Sequence, residues 1–395
     1  MKKLVLAYSG GLDTSYCAKF LSESGYEVHA VSVNTGGFSK EEIKHIEEKA
    51  IALGATSYTS IDAVQTFYDK VVKYLIYGNV LKNNTYPLSV SAERIVQAIE
   101  IVNYAKENKA KYIAHGSTGA GNDQVRFDMI FQILAPEIEI ITPIRDNKLS
   151  RQEEIDYLQG KGINMSWEKA KYSINKGLWG TSVGGDETLT SHQPLPNEAY
   201  PSQLENMGSQ KVKLTFTKGE LTAIDGKKGK TVKLIEKLEE IASSFAIGRD
   251  IHVGDTIIGI KGRVGFEAAA PMVIIKAHHT LEKHVLTKWQ QQHKDYLSNW
   301  YGMLLHEGNY LDEVMRNIEV FMTDSQKNVS GDVWVSLYPY RFAVDGIQSE
   351  HDLMSAKFGS YGEMNKGWTA EEAKGFIKIN ANAAKIHQSV NKVKS

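Results

Sequence analysis

Seven consecutive residues near the start of the chain, Ser9-Gly10-Gly11-Leu12-Asp13-Thr14-Ser15, carry its strongest chemical signal. Two adjacent glycines let a backbone turn sharply and approach a ligand closely. Ser9, Thr14 and Ser15 bring hydroxyl donors for phosphate oxygens, and Asp13 can help hold Mg²⁺ or cap a helix. The run follows an apolar segment, residues 3–8, that reads as a buried strand. It precedes a helical repeat of Leu12, Tyr16 and Phe20, with Cys17 and Leu21, that stops near Gly25. A helix start presents unpaired N–H groups and the positive end of the peptide dipoles, so it favours an anion. The loop lacks the Gly-Lys-[Ser/Thr] ending of a Walker A sequence and the Gly-x-Gly-x-x-Gly of a dinucleotide site. The bland alternative is a strand–turn–helix connection with a Ser or Asp cap.

A second dense stretch runs from His115 to Phe127 and again follows a short apolar strand, Tyr112-Ile113-Ala114. Gly116, Gly119 and Gly121 loosen the loop. Asn122, Asp123 and Arg126 then fall in the first turn of a helix, with Asn122 and Arg126 on one face. A guanidinium binds a carboxylate in bidentate fashion, and Asn with Asp can hold an amine or amide. These are the groups needed to bind amino acids beside a nucleotide; a solvated loop with an Asn/Asp cap is the bland alternative.

The elements that must position both loops alternate strand and helix. Residues 28–33 read as a second strand, and Ser39-x-x-Glu42 as a capping box opening a helix that ends near Gly54. Helical stretches fall around 62–77 and 91–109, with strands at 111–115 and 138–142. This is an α/β pattern: a mostly parallel sheet covered on both faces, Rossmann-like, over about 1–165. Residues 173–208 show no periodicity and read as a functional loop region. Beyond them lie a hairpin at 211–216 and 220–224 around Lys218-Gly219, a helix at 231–245 and a strand at 256–267. A long helix at 277–301, a shorter one at 311–323 and a hairpin at 333–337 and 341–347 follow. That α+β texture marks a second domain over 166–355, and 356–395 is a tail with a helical stretch at 369–388.

Composition narrows the class. Lys plus Arg is 46 against 47 Asp plus Glu, giving a net charge of −1 over 395 residues, so no basic surface for nucleic acid is expected. One cysteine, Cys17, excludes an internal disulfide or any site needing two thiols, and its place on the apolar face of the first helix marks it as core. The apolar run at residues 4–7 is too short for a signal core or a membrane span, so a cytoplasmic protein without membrane partners is expected. His278, His279 and His284 lack the further ligands a zinc site needs and read as structural. Trp289, Tyr296, Trp300 and Tyr301 read as a packing stripe that could lie at a subunit contact.

The first loop resembles the pyrophosphate loop of ATP pyrophosphatases, which split ATP to AMP and pyrophosphate while adenylating a substrate. Both loops together resemble argininosuccinate synthase, whose second loop reads Gly-x-Thr-Gly-Lys-Gly-Asn-Asp-Gln-Val-Arg-Phe. The resemblance extends through Tyr86-Pro87-Leu88 and Ser91, Gly248-Arg249-Asp250, Ile260-Lys261-Gly262-Arg263 and Ser325-Gln326-Lys327, and is loose in the last quarter. It implies an AMP-forming ligase that joins citrulline to L-aspartate in arginine biosynthesis with ATP and Mg²⁺, as a homotetramer with the C-terminal helix reaching a neighbour. It further implies ATP binding by Ala7, Tyr8, Ser9, Gly10, Gly11, Leu12, Asp13, Thr14, Ser15, Val33 and Gly116. Aspartate would be held by Thr118, Asn122 and Asp123, and citrulline by Tyr86, Ser91, Asn122, Arg126, Ser173 and Ser182. The ureido oxygen would attack the α-phosphate, and the aspartate amine would then displace AMP. Such transfers rest on positioning and charge neutralisation, so no residue is assigned as catalytic; Asp13 and Asp123 are candidates to position charge or Mg²⁺.

Three positions depart from that family's pattern. Ala120 stands in place of a lysine, so another basic residue or Mg²⁺ must neutralise the phosphates. Gly254 stands in place of a glutamate and Phe266 in place of a tyrosine, both implied citrulline contacts. Gly254 is expected to leave space as well as to remove a carboxylate. Either Asp255 or Glu267 takes over the substrate ammonium, or the substrate is a citrulline whose α-nitrogen carries an acyl group. A tRNA-thiolating pyrophosphatase would need paired cysteines and a basic surface. A nucleotide-binding regulator without turnover is the rival from another class.

Overall fold

In a computed structural model, which describes residues 2–163, 172–354, 361–362 and 367–391, the first strands form one parallel sheet. It contains β1 (Lys2–Ala7), β2 (Tyr26–Asn34), β3 (Ser57–Asp62), β4 (Tyr112–Ala114) and β5 (Glu139–Ile141), in the order β3-β2-β1-β4-β5. Leu4, Val5 and Leu6 of β1 are fully buried. A central parallel strand is covered on both faces, which is why it reads as an unbroken apolar run. The chain builds outward from β1 to β3, then returns to place β4 on the other side of β1. The order therefore reverses between β1 and β4, and the crevice beyond the carboxyl ends of those strands is where open α/β sheets take ligands. The first loop leaves β1 and the second leaves β4.

Local signals set the helices that flank this crevice. Gly25 takes φ +84° just after the helix Leu12–Glu23, as its place at the end of the repeat requires. The expected capping box holds: Ser39 Oγ accepts from Glu42 N at 3.2 Å, and Glu42 Oε2 accepts from Ser39 N at 2.7 Å, opening the helix Lys40–Ala52. The long helix Ser89–Glu107 packs between the sheet and the rest of the body, burying Ile95, Val96, Ile99 and Val102.

Two antiparallel sheets complete the body that extends to Glu350. One contains β6 (Ser173–Gly177), β7 (Gly180–Gly184), β11 (Arg249–Asp255) and β12 (Lys261–Glu267), in the order β11-β12-β7-β6. The other contains β8 (Gln210–Thr217), β9 (Glu220–Ile224), β10 (Lys227–Lys228), β13 (Gly331–Tyr338) and β14 (Arg341–Gln348). Both expected hairpins, around Lys218-Gly219 and around Pro339, are present. Residues from His351 onward form a separate unit in which Ala370–Asn380 and Asn382–Val390 are helical and bury no side chain. The expected boundaries at 165/166 and 355/356 fall outside the described residues.

Several expectations need correction. Residues 173–184 are a hairpin and not a patternless loop; β6 is mostly exposed and β7 is built of small residues buried on both faces, so neither shows alternation. The helix expected over 277–301 is two helices, Ala269–Val285 and Lys288–His306. Leu286 and Thr287 are extended, and Thr287 with Gln290 forms a reciprocal cap that starts the second. The strand expected over 256–267 begins only at Lys261, because residues 256–260 turn the chain back from β11. Strand β3, mostly polar and at most half-buried, was not anticipated; the helix expected around 62–77 is present from Val64 to Tyr77, with a π-helical segment at Tyr68–Val72 inside it. The tail helix breaks at Ala381. Of the aromatic stripe, only Tyr301 is buried, whereas Trp289, Tyr296 and Trp300 are exposed.

Of His278, His279 and His284, the first lies in the core. His278 is fully buried between Asn79 Oδ1 (2.7 Å) and Gln326 Oε1 (2.9 Å). Beside it the fully buried Lys294 reaches Glu282 Oε2 (2.9 Å) and donates to the carbonyl of Tyr77 (3.1 Å). No cluster of three or more metal-ligating side chains occurs among the described residues. Cys17 is buried in the core, and burial pushes its thiol well above the ordinary range.

Candidate functional site

The loop from β1 closes on itself with hydroxyls. Ser9 Oγ lies 3.3 Å from Thr14 Oγ1, Gly11 N donates to Ser9 Oγ (3.4 Å), and Gly10 turns at φ +77°. Gly11 is the N-cap of the helix Leu12–Glu23 and has no side chain to cap it, so the first-turn N–H groups stay available to an anion. Asp13 sits in that first turn. Burial raises its carboxyl above the ordinary range against the pull of Arg151. Glu154, buried on the helix Arg151–Gly160, is pushed up to about 8 by burial and by Asp13, and its Oε2 has no hydrogen-bond partner. The two acids thus share one electrostatic environment at the base of the loop.

The loop from β4 lies against the first. A Cβ on Gly116 would stand 3.1 Å from the carbonyl carbon of Asp13 and 3.2 Å from Thr14 N. His115 anchors it: Ser117 N donates to Nδ1 (3.2 Å), which leaves Nε2–H to reach Asp128 Oδ1 (2.8 Å). Gln124 donates to the carbonyls of Gly119 and Gly121, tying the glycine-rich turn to the helix Asp123–Leu134.

Between the loops opens a cavity of about 890 Å³. Of the residues expected to bind ATP, Ala7, Tyr8, Ser9, Gly11, Leu12, Asp13, Thr14, Val33 and Gly116 line it; Gly10 and the buried Ser15 are not part of the lining. Thr118, Asn122, Asp123, Arg126 and Ser173 line it as well. Tyr86, Ser91 and Ser182 are buried outside that lining, with Tyr86 stacked on His252 (5.1 Å between ring centres) and packed on Phe266 (5.4 Å).

Asp123 is the electrostatic centre. Arg94 Nε reaches its Oδ2 at 3.0 Å and Arg126 reaches its Oδ1 at 2.8 Å. Burial raises its pKa, but the two guanidinium groups outweigh that and hold the carboxylate below the ordinary range. Arg126 is further fixed by the carbonyl of His306 (2.9 Å). Asn122, at the cavity wall, is also tied to the turn at 256–260, its Oδ1 accepting from Ile257 N at 2.8 Å.

Arg94 was missed by sequence reasoning. It also donates to Glu93 Oε1 (2.9 Å), Gln97 Oε1 (3.0 Å) and Asn175 Oδ1 (3.3 Å), so it joins the helix Ser89–Glu107, the second loop and β6. Its spacing three residues after Ser91 on one helix face was the available signal. Glu93, also missed, is fully enclosed; burial pushes it up to about 7 against Arg94 and against the Thr35 hydroxyl, which donates to its Oε2 at 2.7 Å.

The departure at Gly254 reads differently in three dimensions. Gly254 leaves no space: a Cβ there would meet His252 Nε2 at 2.7 Å and Asn83 Nδ2 at 3.2 Å. Neither acid expected to stand in is at liberty. Glu267 is buried in a pair with Arg249 (2.9 Å), and the exposed Asp255 pairs with Lys261 (2.5 Å).

Comparison with known proteins agrees along the whole chain. Residues 3–164 match the model of the arginosuccinate synthase N-terminal HUP domain, and residues 172–387 match that of the arginosuccinate synthase C-terminal domain. An argininosuccinate synthase of Methanocaldococcus jannaschii is 37% identical over 394 residues, covering 99% of both chains. One from Sulfurisphaera tokodaii is 36% identical over 381 residues, 95% of this chain and 96% of that one. One from Xanthomonas campestris is 35% identical over 403 aligned residues, 99% of both.

Proposed function

The chain belongs to the argininosuccinate synthase family, and on that premise we propose how its cavity divides the reaction among its residues. The activity is that of a ligase, condensing citrulline with aspartate in arginine biosynthesis with ATP. The nucleotide lies with its phosphates against Ser9–Ser15 and its adenosine toward Val33, and Gly116 allows the second loop to approach it. Asp123, aligned by Arg94 and Arg126, meets the aspartate amine, while Thr118 and Asn122 meet its remaining polar groups. Arg126, Ser173, Tyr86, Ser91 and Ser182 form the citrulline side. The observation that carries this reading is the convergence of the two loops on one cavity around a doubly clamped Asp123.

The chemistry needs positioning more than proton transfer. The citrulline ureido oxygen attacks the α-phosphorus and pyrophosphate leaves; the aspartate amine then displaces AMP from the adenylated carbon. First-turn N–H groups face the charge that develops on the phosphates. Mg²⁺ fits the donor set, since it binds through one or two carboxylates together with substrate phosphates, and Asp13 lines the cavity at the phosphate loop. When bound it would neutralise phosphate charge.

We place the protein in the cytoplasm, without nucleic-acid partners; no described helix is long and apolar enough to cross a membrane. A homotetramer is supported by Phe376, Ile377, Ile379, Ile386 and Val390, which the C-terminal helices expose. Light scattering of the full chain tests this.

The test of function is pyrophosphate release. It should require ATP, citrulline and aspartate together. Release only with an N-acylated citrulline would replace citrulline as substrate, and binding of ATP without release under any combination would mark a regulator.

A further inference from the structure

The triphosphate of ATP brings several negative charges into a cavity already rich in acids. Among the described residues, Asp13, Glu42, Glu93 and Asp123 line it, against three cations, Arg94, Arg126 and Lys176. The two arginines are committed. Both hold Asp123; Arg94 also serves Glu93 and Asn175, and Arg126 the carbonyl of His306. Ala120, in the second loop, contributes no charge.

Two cations outside the lining are also engaged. Lys49 Nζ is bound to the carbonyl of Gly10 (2.7 Å), behind the loop, and Arg145 is paired with Asp128 (2.7 Å). Lys176 differs. It is an exposed residue of β6, it lines the cavity, and among the described residues no ion pair or hydrogen bond holds its ammonium, whose charge is felt at Glu42 across the crevice.

The backbone brings Lys176 there deliberately close. Leu178 N donates to the carbonyl of Thr35 at 2.9 Å, so the turn after β6 is tied to the chain leaving β2. A Cβ on Gly37 would lie 2.1 Å from the Lys176 carbonyl oxygen, so glycine is what permits this approach. The lysine therefore lines the crevice with Thr35, Phe38 and Glu42, and its charge adds to the Ser39 hydrogen bonds that hold the Glu42 carboxyl below the ordinary range.

We propose that Lys176 is a further ATP-binding residue, whose ammonium contacts the β- and γ-phosphates and takes up the neutralising role that Ala120 leaves open. This deepens the functional reading above, resting on the cavity being the ATP site. A flexible point charge suits this task, since it can follow pyrophosphate as it departs.

The test compares equilibrium binding of Mg-ATP and AMP to the full chain by calorimetry, with citrulline omitted so that no turnover intervenes. A charged hydrogen bond contributes about 1.5–3 kcal/mol, so Lys176→Met should weaken ATP by roughly tenfold to a hundredfold. AMP, which lacks the outer phosphates, should bind within about twofold of the parent by the same reasoning. Lys176→Arg should restore most of the ATP affinity, which repair of a merely structural contact would not do selectively. Equal weakening of ATP and AMP, or no weakening of either, overturns the proposal. Because the measurement omits citrulline and aspartate, it stands apart from the pyrophosphate assay. A parent protein that binds ATP but releases no pyrophosphate loses the functional reading and leaves the Lys176 contact to be judged on binding alone.

Discussion

Replacing Arg94 by methionine tests the electrostatic account of the cavity most directly. The substitution keeps the bulk of the side chain and removes a guanidinium that bridges Asp123, Glu93, Gln97 and Asn175. Asp123 keeps Arg126 and is 37% exposed to the cavity, so solvent screens part of its loss. Glu93 has no such relief. Its carboxyl is already held up at about 7 by burial, and without Arg94 it must rise further. An acid whose folded pKa lies above its unfolded value stabilises the fold at low pH and loses that contribution as pH rises through the folded value. The Arg94→Met cost must therefore grow with pH. At about pH 5.5 Glu93 is protonated, and the loss is that of the Asp123 bond, about 1–2 kcal/mol after screening. At about pH 8.5 an unpaired buried charge is added, or its neutralisation must be forced, and the cost should reach about 3–5 kcal/mol. Urea midpoints followed by tryptophan fluorescence at the two pH values read the difference. Adding Glu93→Gln should recover most of the alkaline loss and little of the acid one. A cost independent of pH, or no recovery by Glu93→Gln, would refute the claim that Arg94 compensates Glu93.

Three further outcomes follow from separate features. Lys294→Met should lower stability by about 3–5 kcal/mol, because it strands the fully buried Glu282 carboxylate, and a urea midpoint close to that of the parent would contradict this. Gly116→Ala should raise the KM for ATP through a clash of about 1–3 kcal/mol between the loops; since the contact is with backbone atoms of Asp13 and Thr14, it cannot be relieved by a rotamer change, and an unchanged KM would disprove the close approach. Glu154 is raised to about 8, so it stabilises the fold at low pH and loses that contribution as pH rises through 8. Glu154→Gln should flatten the fall in Tm between about pH 7 and pH 9, and a fall as steep as the parent's would count against the shared environment with Asp13.

How much of this was legible in advance depends on the distance over which each signal acts. The phosphate loop, the Ser39–Glu42 cap and the Lys218-Gly219 hairpin are encoded within a few residues, because φ, capping and turn geometry are local properties. The sheet they serve was legible for the same reason: strands buried on both faces are continuously apolar. The break at Leu286 escaped because two abutting apolar helices share a period, although Thr287-x-x-Gln290 marked it. Strands β3 and β6 escaped because neither has a buried face to set against an exposed one, so no apolar alternation arises.

The site divides along the same line. The residues that come together around the cavity were readable from the run Ser9–Ser15 and from Asn122, Asp123 and Arg126, where polar chemistry is concentrated in short stretches. Charge compensation was not. Arg94 reaches Asp123 from 29 positions away and Lys176 reaches the crevice from a second, antiparallel sheet. His252 fills the room expected beside Gly254, and Arg249 and Lys261 engage the acids expected to replace the missing carboxylate. The sequence by itself determined the loops and the family of chemistry they serve. Only the tertiary structure decided which charges are paired and which remain to meet a substrate, because pairing depends on separations of a few ångströms between segments that no local pattern relates.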